Sequence, residues 1–159
     1  MESPRARRKR LEREAIDNAP TTDSCRDHPE FNRLSYVFRG SLDANNLHAA
    51  RQAFVHLDSL QIAMGLSDQY LMKYALALGV EGLWVDAIRP FVLIGGKRGP
   101  LADDAYLRLA KIQLEILKRP DLAMGSLNQI QPPEEGRADA AKKERLKKRN
   151  ELLKLCAKA

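Results

Sequence analysis

Three histidines and two cysteines are the residues best suited to chemistry in this chain. His28, His48 and His56 share no metal-ligand spacing. The last two lie about two turns apart on one predicted helix, off its apolar stripe, and read as surface residues. Cys25 and Cys156 stand near opposite ends without zinc-site spacing, and read as reduced thiols of a cytoplasmic protein. The stretch Gly95–Gly99 (GGKRG) holds a Gly-Lys pair, as phosphate loops do. Such a loop needs a glycine five residues earlier and a Ser or Thr after the lysine. Phe91 and Arg98 hold those places, so the stretch reads as a helix C-cap and connecting loop. No Gly-x-Ser-x-Gly, no shielded carboxylate pair and no Cys–His pair placed for catalysis is present. The expectation is a non-enzymatic protein with no metal, no cofactor and no small-molecule substrate.

The length of 159 residues fits one domain. Apolar residues make up 44%, too many for a disordered chain. The net charge of +6 is uneven: residues 1–16 carry +3, residues 17–136 carry −3 and residues 137–159 carry +6. Basic contacts are therefore expected only from the ends, through Arg7, Arg8, Lys9 and Arg10 and through Lys142, Lys143, Lys147 and Lys148. Their partners would be nucleic-acid phosphates or, weakly, an anionic membrane surface. The longest run of large apolar residues is Phe91–Ile94, too short to span a bilayer. The basic start has no apolar segment behind it, so no secretory signal is read and a cytoplasmic location is expected.

The elements that would position any site are helical. Residues 4–16 predict a basic helix with a thin apolar side, and residues 18–24 read as a linker. Asp27 with Glu30 reads as a capping box for a helix from about Pro29 to Leu42. A turn at Asp43–Asn46 leads to a second helix, Leu47–Ala63. Ser67 reads as the cap of a third helix with the stripe Leu71, Tyr74, Ala75, Leu78. Pro90 argues for a short fourth helix beginning near Leu83–Asp86, with Trp84 a packing residue at the turn. Asp103 or Asp104 would cap a fifth helix carrying Tyr106, Leu107, Ala110, Leu114 and Leu117. Pro120 opens a sixth, closed by Pro132 and Pro133. A long basic helix, Ala138–Lys158, follows Gly136, with Leu146, Leu153 and Ala157 on one side and Leu152 and Cys156 flanking them.

One signature recurs. Ala50, Phe54 and Leu57 are matched by Ala87, Phe91 and Ile94 and again by Ala123, Leu127 and Ile130, with the alanines 37 and 36 residues apart. A period of this size predicts an all-α solenoid of about three antiparallel helical hairpins plus a C-terminal capping helix. The division is a basic arm and linker over 1–26, repeats over 27–136 and a basic capping helix over 137–159.

On these residues the chain resembles the tetratricopeptide repeats over about residues 29–133. The family's Ala-x3-Phe stands as Ala50–Phe54, Ala87–Phe91 and, with leucine, Ala123–Leu127. The period departs from the family's 34, and Phe38 and Lys111 fill places where it prefers a small residue. The resemblance implies a scaffold or chaperone-like adaptor whose first helices line a groove for a partner protein or peptide. Carried over, that groove is lined by Asn32, Ser35 and Arg39, by Gln69, Met72 and Leu76, and by Arg108, Ile112 and Glu115. Met72, Leu76 and Ile112 would form an apolar floor rimmed by Arg39 and Arg108. Such a floor suits an amphipathic helix or an extended segment with one or two acidic groups. The alternative is a nucleic-acid- or ribosome-associated protein held by its basic ends.

Overall fold

A computed structural model of the chain describes residues 3–17, 22–130 and 140–158. Among them the elements are α1 (Pro4–Asp17), α2 (Thr22–Arg26), α3 (Phe31–Asp43), α4 (Leu47–Ser59), a 3-10 turn at Ala63–Gly65, α5 (Asp68–Val80), α6 (Trp84–Gly96), α7 (Ala102–Glu115), α8 (Pro120–Asn128) and α9 (Ala140–Lys158). No strand occurs among the described residues. Helices α3 and α4, α5 and α6, and α7 and α8 pack as antiparallel hairpins. Helix α6 packs closely on α7, and α9 packs on both α7 and α8.

The signature residues sit where the repeat predicts. Ala50, Ala87 and Ala123 are fully buried, and Phe54, Phe91, Leu127, Leu57, Ile94 and Ile130 are buried with them. The backbone repeats as well. Asn45, Gly82 and Lys118, at the turn inside each hairpin, have positive φ and are 37 and 36 residues apart. Gln61 and Arg98, between hairpins, also have positive φ and are 37 apart. Left-handed residues at this position close a helix by letting later amides reach back to its last carbonyls. The amides of Asn46, Ile62 and Leu83 do so, donating to the carbonyls of Ser41, Leu57 and Leu78 at 2.8, 3.0 and 2.8 Å.

Helix α7 divides the interior into two clusters. One face of it, with Ala105, Leu109 and Ile112, joins a large cluster built from α2 to α6. At its heart the rings of Phe38, Phe54 and Tyr74 pack with centroids 5.2 Å (Phe38–Tyr74) and 4.9 Å (Phe54–Tyr74) apart. Burial there pushes the Tyr74 phenol well above the usual tyrosine range. The opposite face, with Leu107 and Ala110, joins Ala123, Leu127, Ile130 and Cys156 in a smaller cluster. Helix α9 closes that cluster. Arg145 pairs with Asp104 at 3.1 Å and Arg149 donates to the Leu127 carbonyl at 3.2 Å.

Several local expectations are corrected. Thr22–Arg26 is helical rather than linker, because buried Cys25 packs at Gly65, where a side chain would collide with Phe31. Asp27 caps nothing at the start of α3: the His28 Nδ1 accepts the Glu30 amide instead, at 3.1 Å. Helix α4 stops at Ser59, four residues early, at left-handed Gln61. Helix α6 has 13 residues, as many as α4 and α5. Pro90 is tolerated because its missing N–H deprives only the carbonyl of Asp86, in the helix's first turn. Leu101, not Asp103 or Asp104, occupies the N-cap position of α7 and supplies no side-chain cap, and the two aspartates sit in the first turn, where the helix dipole favours them. Ala157 is exposed, while its neighbour Cys156 is buried. Ser67 does cap α5, its hydroxyl accepting the Tyr70 amide. Pro132, Pro133, Gly136, Ala138 and linker residues 18–21 lie outside the described residues.

Candidate partner-binding cleft

The two buried faces of α7 leave a third face exposed. Asp104, Arg108, Lys111 and Glu115 recur along it every three or four residues and form a charged ridge. A cleft opens on each side of the ridge.

The cleft toward α6 is the more apolar in character. It holds about 240 Å³ and is lined by Trp84, Phe91, Arg108, Lys111, Ile112, Glu115 and Ile116. Trp84 and Phe91 are seven residues apart on α6, hence on one face. Phe91 and Ile112 are its buried floor, 1% and 4% exposed. Trp84 and Ile116 are its open rims, 39% and 47% exposed. The indole is held by Gly79 of α5: a Cβ there would lie 2.5 Å from the ring. The tryptophan is thus both the packing residue the sequence suggests and a wall of the cleft. Arg108 and Lys111 form no ion pair with another described residue. The cleft on the other side of the ridge, toward α9, holds about 440 Å³ and is lined by Leu107, Lys148, Glu151, Leu152 and Leu155 with the ridge residues.

The nine residues expected to line a groove are distributed unevenly. Arg108, Ile112 and Glu115 come together in the α6–α7 cleft. Gln69 lines a separate hollow with Arg26, Asp68 and Lys97. Met72 is half-buried against the large cluster, and Leu76 is 37% exposed. Asn32 and Arg39 are exposed, whereas Ser35 is buried and donates to the Asn32 carbonyl at 3.2 Å. Trp84, Phe91 and Ile116 were not among the expected lining residues. Phe91 is marked in the sequence only as a repeat-signature residue, and Trp84 and Ile116 only by apolar character at the hairpin turn and just past the end of α7.

The basic residues divide likewise. Arg7, Arg8, Lys9 and Arg10 are exposed on α1, and Lys143, Lys147 and Lys148 are exposed on α9. Lys142 is half-buried in a hollow with Arg98, Tyr106 and Arg145. Lys97 of the Gly-Lys pair is engaged: its Nζ donates to the Leu66 carbonyl at 2.6 Å and pairs with Asp68 at 2.8 Å. His48 and His56 are exposed. Among the described residues no group of three or more His, Cys, Asp and Glu is placed to hold a metal ion. Both cysteines are free and buried, and burial pushes both thiols up from their ordinary range. Among the described residues no helix is long and apolar enough to cross a membrane.

The fold and cleft define an all-α stack of helix hairpins with an apolar slot between its second and third pairs. No protein-family model, no curated protein and no solved structure matches the chain.

Proposed function

We propose that this chain is a non-enzymatic, cytoplasmic interaction scaffold, tetratricopeptide-like in build, that holds a segment of a partner protein in the α6–α7 cleft. The make-up of the cleft carries this. An apolar floor with two half-open rims, Trp84 and Ile116, lies beside two cations without an ionic partner among the described residues. Such a slot takes a bulky apolar side chain, and Arg108 and Lys111 take an acidic group one turn away on the same segment. The buried alanines of the second helices and the recurrence of left-handed residues support the tetratricopeptide likeness. The two thiols, each in a separate cluster, support a reducing compartment.

The test is capture from native lysate, with and without nuclease, by the parent chain and two rim variants, Arg108→Glu/Lys111→Glu and Ile116→Ser. These positions are exposed, so the fold tolerates the changes. Truncating Met72, Leu76 and Ile112 together is a worse test, because Ile112 belongs to the core and its loss costs about 2–5 kcal/mol. A discrete protein that survives nuclease and is lost by both variants, with unchanged thermal unfolding, is the expected result. Full capture by both variants removes the cleft as the site.

A further inference from the structure

Helix α9 sorts its cations. Arg145 and Arg149 turn inward and fix the helix to α7 and α8. Leu146, Leu152 and Leu153 are half-buried on the same side, and Cys156 is buried. The opposite side carries Lys143, Lys147, Lys154 and Lys158. At 3.6 residues per turn these four fall within an arc of about 60° and span about 22 Å. All four are exposed, and none is paired with a carboxylate among the described residues. Glu144 and Glu151 lie to one side of this strip and bound it.

We propose that the lysine strip of α9 binds the phosphate backbone of a nucleic-acid duplex. Charge favours it: residues 137–159 carry +6, while residues 17–136 carry −3 and repel a polyanion. Three other occupants fit less well. A helix lying on a bilayer buries its apolar face in lipid, and that face of α9 is spent on α7 and α8. A protein partner needs a buried aromatic, aliphatic or arginine anchor, and this strip is lysine on a convex surface. Single strands are held by stacking on aromatic rings, and α9 has none. Regularly spaced point charges suit phosphates along a duplex and carry no base readout. The strip is independent of the α6–α7 cleft.

The strip differs from the basic residues the sequence picks out. Lys142 is half-buried in a hollow, and Lys148 lines the cleft beside α7. Lys154 and Lys158 take their places in the outward row. Four neutralised phosphates imply a slope of log K against log salt of about −3.6, or roughly 150-fold weaker binding between about 50 and 200 mM salt.

The experiment uses the full chain and Lys143→Ala/Lys147→Ala/Lys154→Ala/Lys158→Ala. A second variant, Arg7→Ala/Arg8→Ala/Lys9→Ala/Arg10→Ala, isolates the contribution of α1. Each is titrated with DNA and RNA duplexes of about 20 base pairs, with the single strands, and with vesicles containing phosphatidylserine. Unchanged helix content and thermal unfolding show that the variants are folded. The expected result is duplex binding whose salt slope shrinks by about three to four in the strip variant and survives in the α1 variant. The stronger of the two duplexes identifies the source of the phosphates. Duplex binding unchanged in the strip variant, binding to vesicles or single strands alone, or no duplex binding at low salt each overturns the proposal.

Discussion

The two sides of α7 are built differently. On the first side the core centres on the aromatic trio of Phe38, Phe54 and Tyr74, and elements from α2 to α7 contribute to it. On the second side small residues and leucines fill a narrower space, and the partner helix α8 has only nine residues. Charge follows the same division. Arg51 pairs with Asp86 at 2.6 Å and Arg89 with Asp58 at 3.1 Å, tying α4 to α6. One repeat later these places hold Ile88, Leu122, Gly125 and Gly95, and no ion pair joins α6 to α8 among the described residues. Ion pairs therefore tie the first two hairpins together. The third is held to the second by the packing of α7 on α6 and has its ion pair to α9, which is not part of the repeat. A stack of this kind has stability that is a sum of local units and joints, so its weakest joint sets where it opens.

The largest test of this contrast is Phe54→Ala. The ring is buried between Phe38 and Tyr74, and its loss costs about 3–5 kcal/mol. Denaturant unfolding gives the magnitude, and hydrogen exchange should show lost protection from α3 through α7. A loss under about 1 kcal/mol would mean that the trio is not the centre of the larger core. Next comes Gly95→Ala, at the joint itself. A Cβ at Gly95 would meet the Tyr106 ring at 2.6 Å, and Tyr106 packs against both clusters. Overpacking of about 1–3 kcal/mol, less the 0.5–1 kcal/mol gained by removing a helical glycine, leaves a net loss of up to about 2.5 kcal/mol. A variant as stable as the parent would show that α6 and α7 are joined loosely.

Much of this contrast is legible in the residues. The repeated Ala-x3-Phe/Leu places the second helix of every hairpin, because a small residue one turn from a large one is what close helix packing requires. The turns are only partly legible. Gly82 and Asn45 are residue types that enter left-handed conformations readily. Gln61, Arg98 and Lys118 do so because the surrounding helix ends require it, so nothing in their side chains marks α4 as ending at Ser59. Helix α2 is too short for periodicity to register, and Cys25 is buried by Gly65, forty residues away. Arg108, Ile112 and Glu115 could be placed from the outward positions of one helix. Their meeting with Trp84 depends on how α6 crosses α7, a property of neither helix alone. On α9, choosing Ala157 over Cys156 is a phase error of one residue, about 100° around a helix.

The smallest effect probes the α9 latch. Arg145 pairs with Asp104 across a partly open surface, the two side chains 29% and 37% exposed. Solvent screening holds the worth of such a bridge to about 0.2–1 kcal/mol. Denaturation alone would barely register Arg145→Ala, but the two cysteines turn it into a local measurement. Both thiols are buried, so each reacts with a thiol reagent only when its surroundings open. Near neutral pH both are protonated in the native state, because burial has raised their pKa values rather than lowered them. Loosening α9 by about 0.2–1 kcal/mol raises the open fraction about 1.4- to five-fold. Arg145→Ala should therefore speed labelling of Cys156 by that factor and leave Cys25, in the first cluster, at its parent rate. Equal acceleration of both would mean that the chain opens as one unit and that the division at α7 carries no energetic meaning. Acceleration of neither would place the hold on α9 in Arg149 and in Leu146, Leu152 and Leu153.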